Sequence, residues 1–410
     1  MSSQVWSQHP DDYRRREVRR ILDLLQAGEC VSLIALSGMG KSNLLGFLAF
    51  RASKAKGAPT CALLDCNRLA ATNAEAFYSS ATRAIREMDS GDSPSTADPS
   101  EATFESLASA VADHLHATRH PLALLLDGFD DLVRTVDRPF FNNLRALRDR
   151  HKFRLAYLTA SRRPLTDLAA PETLREFHDL FAANQIWLQP LAEADARWAL
   201  SRYAERRRTS LHKAEVETLL HLSGRHPGLL RALAAGWEEG NEERPDLWLA
   251  LPAVARECAL LWDDLPQEAR MAACTRPASD ATLQHSGLAV GDELFSPVFA
   301  AYVAAQAGPG LRLDRKTGEV TLGGVPLQVE LTAKEHGLLA YLLDHANAIR
   351  EKDDLIRAVW PEDRVFVEGI RDDSLAQLVH RLRVKIEPDP AQPRYLLTAP
   401  GRGYRLVQPP

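Results

Sequence analysis

The sequence predicts an α/β chain in which a parallel sheet, covered by helices on both faces, precedes a helical segment and a small mixed domain. Three observations lead to this fold class. Up to about residue 190, short runs of uniformly apolar residues alternate with amphipathic helical segments. After Pro190 the predicted strands stop and helical patterns continue to residue 305. Residues 311–407 then show short strands, three helical stretches and a glycine-rich hairpin. Strands that are apolar throughout are typical of a parallel sheet buried between layers of helices.

The elements of the first segment follow in a regular order. An amphipathic helix comes first, with Val18, Ile21, Leu22 and Leu25 on one stripe at helical spacing. Helices are also predicted for SNLLGFLAFRASKAKG (42–57) and FESLASAVADHLHAT (104–118), and a surface loop at 88–103 precedes the second of them. The predicted strands are CVSLIAL (30–36), TCALLDC (60–66), PLALLLD (121–127), FRLAYLTAS (153–161) and QIWLQPL (185–191).

Composition excludes several classes of protein. The 410 residues carry a formal net charge of −5, so no overall basic field indicates nucleic acid. No apolar run approaches the length that a bilayer requires, and the first residues lack the apolar core of a secretory signal. The five cysteines show no metal-type or paired spacing. We therefore expect a cytoplasmic protein with reduced, mostly buried thiols and no membrane partner.

The stretch ALSGMGKSN, residues 35–43, predicts a nucleotide site. It fits the phosphate-loop pattern G-x-x-x-x-G-K-[ST], except that Ala35 replaces the first glycine. Glycines let backbone N–H groups surround the phosphates, while the lysine contacts the β- and γ-phosphates. The strand before the loop and the helix after it are the required context. We predict that ATP or ADP is held by Ala35, Gly38, Met39, Gly40, Lys41, Ser42 and Asn43.

Acidic and basic residues at the ends of two later strands complete this prediction. Asp127 ends a buried strand, where its carboxylate would hold Mg²⁺ together with the Ser42 hydroxyl. Asp130 and Asp131 follow, and one of them would orient the attacking water in hydrolysis. Arg162, at the end of the next strand, is placed to sense the γ-phosphate, with Arg163 as the weaker candidate.

Taken in order, these motifs resemble those of the STAND class of ATPases, relatives of the AAA+ proteins that include the NACHT and NB-ARC modules. The resemblance covers residues 12–240 and includes SGMGKS, LLLDGFDDL and TASRRP, and SGRHPGLLRALA resembles the G-x-P motif of the family's helical lid. It implies that Pro227 touches adenine and that His226 lies close by. AAA+ proteins carry glutamate where Gly128 stands, so we expect slow hydrolysis. The absence of a guanine-selective N-K-x-D pattern favours adenine nucleotides.

The last hundred residues contain a second set of motifs. Thr332 and Glu335 have the spacing of a helix-capping box. A helix is predicted over 372–387, with the apolar stripe Leu375, Val379, Leu382 and Ile386. Its opposite face carries Ser374, Gln377, His380, Arg381, Val384 and Lys385. The final stretch RYLLTAPGRGYRLV predicts a hairpin with Arg402 between two glycines.

This segment resembles the winged-helix domain of OmpR/PhoB-type response regulators. LT-x-x-E, LVHRLRVKIE and GRGYRL match in order over about 97 residues. The resemblance implies that helix 372–387 enters the major groove of double-stranded DNA and that Arg402 reaches the minor groove. Residues 311–410 carry 15 Lys plus Arg and 15 Asp plus Glu, so phosphate neutralisation by one copy would be weak.

The sequence therefore divides into five predicted parts. A P-loop NTPase domain spans 1–189 and a helical lid 190–249. A degenerate winged-helix unit at 250–305, without an Arg- or Lys-rich helix, is interpreted as a relay, and 306–310 is a linker. The winged helix at 311–410 completes the chain.

Three functions remain open at this point. The first is a DNA-binding transcriptional regulator switched by ATP through self-association, which is common in STAND and AAA+ relatives. The second is a signalling ATPase of a defence or stress system whose winged helix binds a protein. The third is a loader ATPase that resembles the initiator family.

Overall fold

The computed structural model describes residues 3–90, 102–237, 245–275, 277–306, 310–315, 317–322, 325–327, 329–360, 370–387, 389–393 and 395–408. The chain forms two compact units, Met1–Tyr302 and Val303–Pro410. The predicted loop at 88–103 and the predicted linker at 306–310 lie largely outside the described residues.

The first unit is built on a five-stranded sheet, as predicted. Its strands are parallel and lie in the order β2-β3-β4-β1-β5. Every residue of β1, β3 and β4 is buried, so helices cover both faces, and the α/β fold class is confirmed. The strands are β1 (Val31–Ile34), β2 (Thr60–Asp65), β3 (Leu122–Asp127), β4 (Leu155–Ser161) and β5 (Gln185–Trp187).

Helices alternate with these strands along the chain. One face of the sheet packs on a continuous apolar core that contains four aromatic side chains in a row of ring contacts, Phe77, Phe140, Phe141 and Phe177. The helices up to the last strand are α1 (Ser3–Trp6), α2 (Arg15–Gln26), α3 (Lys41–Lys54), α4 (Ala74–Ser90), α5 (Phe104–Ala117), α6 (Asp130–Thr135), α7 (Arg138–Arg150) and α8 (Pro171–Asp179).

Helices dominate the rest of the first unit. They are α9 (Glu193–Arg207), α10 (Lys213–Ser223), α11 (Pro227–Ala235), α12 (Pro245–Trp248), α13 (Pro252–Asp264), α14 (Gln267–Thr275), α15 (Ala281–His285) and α16 (Pro297–Gln306). The prediction that strands stop after Pro190 is wrong in one place. An antiparallel hairpin joins β6 (Ala289–Val290) to β7 (Glu293–Leu294). Two-residue strands are too short to show an alternating pattern, so the sequence gives no signal for them.

The second unit has the elements of a winged helix. Its three helices are α17 (Ala333–Asp344), α18 (Lys352–Val359) and α19 (Ile370–Ile386). Two antiparallel sheets accompany them, β10-β9-β8 and β11-β13-β12. Their strands are β8 (Leu311–Leu313), β9 (Val320–Leu322), β10 (Val325–Pro326), β11 (Arg350–Glu351), β12 (Leu396–Ala399) and β13 (Gly403–Leu406). The strands β12 and β13 form the predicted hairpin.

Local sequence signals explain how this unit is arranged. The predicted capping box is confirmed, because Thr332 and Glu335 each accept a backbone N–H from the other at the start of α17. The predicted apolar stripe of α19 is confirmed too, and all four of its residues are buried in the unit's core.

The five cysteines are unpaired, and three of them are buried. Among the described residues, none of the helices is long and apolar enough to cross a membrane.

Candidate functional site

The predicted phosphate loop joins β1 to α3 at the carboxyl edge of the parallel sheet. Gly38 and Gly40 have φ values of +75° and +87°, in the left-handed region where a side chain adds strain. Gly40 is the N-cap of α3, so the positive end of that helix faces the loop. The loop thus makes a turn of the kind that the predicted phosphate site requires. Its left-handed backbone at positions 38 and 40 explains why both residues are glycine.

Lys41 is the charged residue of the loop. Its Nζ donates a hydrogen bond to the carbonyl of Ala35 at 2.5 Å, which holds the side chain across the loop. Burial lowers the pKa of Lys41, while the carboxylates of Asp130, Asp264 and Asp127 act in the opposite direction. A buried ammonium beside a backbone turn is suited to an anionic ligand, and the nearby carboxylates offset part of its charge.

Asp127 and Ser42 meet at the end of β3, as the sequence predicts for magnesium ligands. Burial raises the pKa of Asp127, whereas a hydrogen bond from Ser42 and the charge of Lys41 act to lower it. A hydroxyl and a carboxylate within hydrogen-bonding reach of each other form the hard oxygen donor set that Mg²⁺ prefers. The pair therefore fits the metal that a phosphate-loop nucleotide carries.

We expect Asp127→Asn to remove the magnesium dependence of nucleotide binding, because the variant loses the anionic oxygen. Loss of a ligand of this kind should weaken Mg²⁺ binding by at least about tenfold. Calorimetric titration of ADP with Mg²⁺ and with a chelator measures the effect. Asp167→Asn, at an exposed aspartate of the same unit, is the matched control. An unchanged Mg²⁺ dependence in Asp127→Asn would show that the metal lies elsewhere.

The acids that follow β3 lie next to the predicted sensor arginine. Asp130 is 3% exposed, and its Oδ1 accepts the Arg162 N–H at 2.8 Å. The Arg162 guanidinium lies 3.5 Å from the same oxygen and 3.9 Å from Asp131. Asp131 is exposed and also pairs with Arg134. The geometry gives Asp130 a role in holding Arg162, whereas the water-orienting role of either acid remains a prediction.

The predicted lid motif lies directly on the phosphate loop. His226 caps α11, and its Nδ1 accepts the Leu229 N–H at 3.1 Å. The proton is therefore on Nε2, which donates to the Ser37 carbonyl at 3.0 Å. Burial lowers the pKa of His226 to about 4, consistent with a neutral ring. The Gly228 N–H donates to the Gly38 carbonyl at 3.0 Å.

Pro227 lies beside the same loop. A Cβ atom at Gly40 would approach the Pro227 ring at 4.0 Å, an ordinary van der Waals contact. The predicted adenine contact of Pro227 and the nucleotide contacts of Met39 and Asn43 remain predictions. Met39 is fully buried, and Asn43 is exposed on the first turn of α3.

Two groups on the loop were missed by sequence reasoning. The Asp264 carboxylate, at the end of α13, accepts the Ser37 N–H at 2.6 Å and lies 3.6 Å from Arg162. Its main-chain carbonyl accepts a hydrogen bond from Arg163 Nε at 2.8 Å. The other is Arg14, whose buried guanidinium donates to the carbonyls of Met39 and Gln189. Neither belongs to a local motif, so the sequence contains no signal for its place in the site.

A third missed residue explains the glycine that follows Asp127. Gly128 has φ +65°, and a Cβ atom there would collide with the side chain of Asn67. Asn67 follows β2, whose last residue Asp65 pairs in register with Asp127. The space where AAA+ proteins carry glutamate is therefore filled by an amide from the neighbouring strand end.

The predicted DNA-binding residues lie on α19 and on the β12–β13 turn. Gln377, His380 and Arg381 are exposed on α19, whereas Ser374 is half-buried. Arg402 is exposed in the turn, and its N–H donates to the Ala399 carbonyl at 3.0 Å. Exposed polar residues on one helix face and an arginine on a hairpin are the arrangement that a winged helix presents to DNA.

One predicted contact residue already has partners inside the unit. Lys385 Nζ donates to the Glu335 carboxylate at 2.6 Å and to the Glu330 carbonyl at 2.7 Å. Burial acts to raise the pKa of Glu335, but hydrogen bonds from Lys385 and Thr332 hold this pKa below its ordinary value. Arg381 lies 3.8 Å from the same carboxylate but is 58% exposed. Lys385 is thus the least available of the predicted DNA contacts.

Fold and site together define a phosphate-loop NTPase followed by a winged-helix domain. Residues 13–250 match the family described as Novel STAND NTPase 1, over more than half of the chain. The chain belongs to this family. Residues 327–406 match the family described as Transcriptional regulatory protein, C terminal. The predicted resemblances to STAND ATPases and to OmpR/PhoB-type domains are thereby confirmed.

Curated relatives match about a quarter of the chain. Protein PetR of Rhodobacter capsulatus is 39% identical over 101 residues, which are 24% of this chain and 41% of PetR. Sensory transduction protein RegX3 of Mycolicibacterium smegmatis is 39% identical over 103 residues, 25% of this chain and 41% of that protein. The chain thus spans about two fifths of the length of these relatives.

Two solved structures are similar to this chain over different lengths. The Klebsiella pneumoniae RstA DNA-binding domain, in complex with the RstA box, is 26% identical with a TM-score of 0.21, covering 24% of this chain and 92% of that one. A Walker-type ATPase of Pyrococcus abyssi is 14% identical with a TM-score of 0.42, covering 98% of this chain and 97% of that one.

Proposed function

We propose that this chain is a nucleotide-controlled DNA-binding transcriptional regulator, which binds ATP or ADP with Mg²⁺ and couples the nucleotide to self-association and DNA binding. The observation that carries the proposal is the pair of lid contacts on the phosphate loop. His226 and Gly228 both bond to loop carbonyls, so a ligand that reshapes the loop also changes the contacts of the lid helix α11. Through these contacts a bound nucleotide can change the conformation of helices that lie outside its own pocket.

Charge explains why self-association would matter. The C-terminal hundred residues carry 15 basic and 15 acidic residues, so one copy gains little from DNA phosphates. A single module would then bind in the non-specific range of about 10⁻⁴ to 10⁻⁶ M. Holding two or more modules together raises apparent affinity by about 10² to 10⁴ without a new contact. A switch that assembles copies is therefore also a switch for DNA binding.

We expect full-length protein to bind DNA more tightly with a non-hydrolysable ATP analogue than with ADP, and to have a larger mass in the ATP-like state. The expected gain is at least about tenfold, below the ceiling of multivalent binding. DNA titration and sedimentation of the same samples measure both quantities. The isolated fragment 311–410 serves as the control, since it lacks the nucleotide site. Equal affinity and equal mass in both states would sink the coupling.

A second candidate is a signalling ATPase whose winged helix binds a protein. The contacts of Lys385 favour it, because a basic side chain tied to Glu335 is withdrawn from phosphate. Arg383 is similarly tied to the β12 strand through the Leu396 carbonyl and the Thr398 hydroxyl. Absence of any duplex binding at low salt, in a gel shift with random DNA, would favour this candidate.

A further inference from the structure

We propose that Asp264 sets the nucleotide preference of the phosphate loop, favouring a nucleoside diphosphate over a triphosphate; the inference rests on the nucleotide binding proposed above. Asp264 is 6% exposed, and its Oδ2 accepts the backbone N–H of Ser37 at 2.6 Å. Ser37 belongs to the loop whose N–H groups surround phosphate oxygens in this class of site. A buried carboxylate thus takes a donor that a phosphate would use.

The carboxylate also lies among the positive groups of the site. Its Oδ1 is 3.6 Å from Arg162 Nη1, and its charge acts to raise the pKa of Lys41. The Arg163 guanidinium holds the end of α13 in place, because it donates to the main-chain carbonyls of Asp264 and Asp263 at 2.8 and 3.2 Å. Backbone amide, arginine and lysine are the groups that a phosphate loop offers to an anion, so the carboxylate stands where anionic charge is stabilised.

This placement opposes the third phosphate more than the first two. Lys41 is the residue that reaches the β- and γ-phosphates, and Arg162 is the predicted γ-phosphate sensor. A γ-phosphate would compete with Asp264 for Arg162 and for the Ser37 N–H. The γ-phosphate and the Asp264 carboxylate are both anionic, so placing them close together costs free energy unless a counter-ion separates them. ADP has no γ-phosphate, so it avoids most of this competition.

A second carboxylate of α13 faces the same loop. Glu257 lies seven residues before Asp264, a spacing that places both on one face of the helix. A Cβ atom at Gly38 would lie 2.8 Å from Glu257 Oε2, and one at Gly228 would collide with it. Glu257 also lies 3.4 Å from Arg231, which offsets part of its charge. We therefore assign it the same direction of effect with a smaller size.

The test compares the affinities of ADP and of a non-hydrolysable ATP analogue, each with Mg²⁺, in the full-length chain by calorimetry. Asp264→Asn keeps an oxygen that can accept the Ser37 N–H and removes only the charge. We expect it to tighten the ATP analogue by at least about tenfold, because like charges brought together cost several kcal/mol. ADP affinity should rise less, because ADP has no γ-phosphate to compete with Asp264 for Arg162.

Asp263→Asn, at the residue next to Asp264, is the matched control. The Asp263 side chain is 74% exposed and lies 3.9 Å from Arg270. This variant should leave both affinities unchanged. An equal gain for both nucleotides, or no change in their ratio, overturns the role of Asp264. Glu257→Gln should shift the ratio in the same direction, and it keeps the test decisive if Asp264→Asn does not fold. A wild-type chain that binds neither nucleotide refutes the proposed function instead.

Discussion

Lys41→Ala should abolish measurable nucleotide binding while the chain remains folded. The Nζ atom is held across the loop by the Ala35 carbonyl, and carboxylates lie near it. Without this ammonium the site is acidic and repels the anionic nucleotide. Charge-assisted contacts to phosphate are about twice as strong as neutral hydrogen bonds. We expect affinity for ADP and for ATP to fall by at least about a hundredfold, measured by calorimetry.

The control for this variant is a lysine on the same helix. Lys54→Ala lies at the opposite end of α3, where its ammonium is exposed and lies over the Phe50 ring at 5.8 Å. It should keep wild-type affinity, and thermal unfolding should show that both variants retain the fold. Unchanged affinity in Lys41→Ala would remove the phosphate loop from the nucleotide site.

The parts of the site that could be predicted are those that the chain brings together locally. The phosphate-loop motif is nine consecutive residues that follow one strand and include the first turn of a helix, so its geometry follows from neighbouring residues. Asp127 ends β3 and Arg162 directly follows β4, and the carboxyl ends of these neighbouring parallel strands share one edge of the sheet. The sequence pattern therefore indicates their proximity without knowledge of the remaining packing.

The missed residues depend on packing over long separations. Asp264 is 227 residues from Ser37, and its role follows only from how α13 packs against the lid helix and the loop. Asn67 fills the space that a Cβ atom at position 128, after another strand, would occupy. A lone aspartate or asparagine is more often solvated, so neither composition nor periodicity distinguishes these positions.

The same limit applies to the winged helix. The apolar stripe of α19 identified its buried face, and Arg381 and Arg402 are exposed as predicted. Lys385 has the right spacing for the exposed face, yet a buried acid from α17 holds it. Helical periodicity indicates which side of a helix faces the core, whereas the partner of a long side chain depends on the neighbouring element.

Arg381→Ala combined with Arg402→Ala should cause the largest loss of DNA binding. Arg381 lies on the exposed face of α19 and Arg402 at the tip of the β12–β13 turn, the two elements that the resemblance directs into the grooves. Each arginine contact contributes about 1–3 kcal/mol, so the double variant should lose roughly 30-fold to 10⁴-fold in affinity. Nucleotide affinity should be unchanged, since both residues belong to the second unit.

The measurement is a titration over a series of salt concentrations, with a duplex selected from a random pool on the wild-type protein. A lost phosphate contact lowers the salt slope by about one, whereas a lost base contact relaxes sequence preference at one position. Arg315→Ala is the matched control, because that exposed arginine pairs with Asp344 outside the predicted interface. Wild-type affinity in the double variant would place the DNA-binding surface on other residues, because removal of two exposed charges from a neutral domain cannot be silent at its own interface.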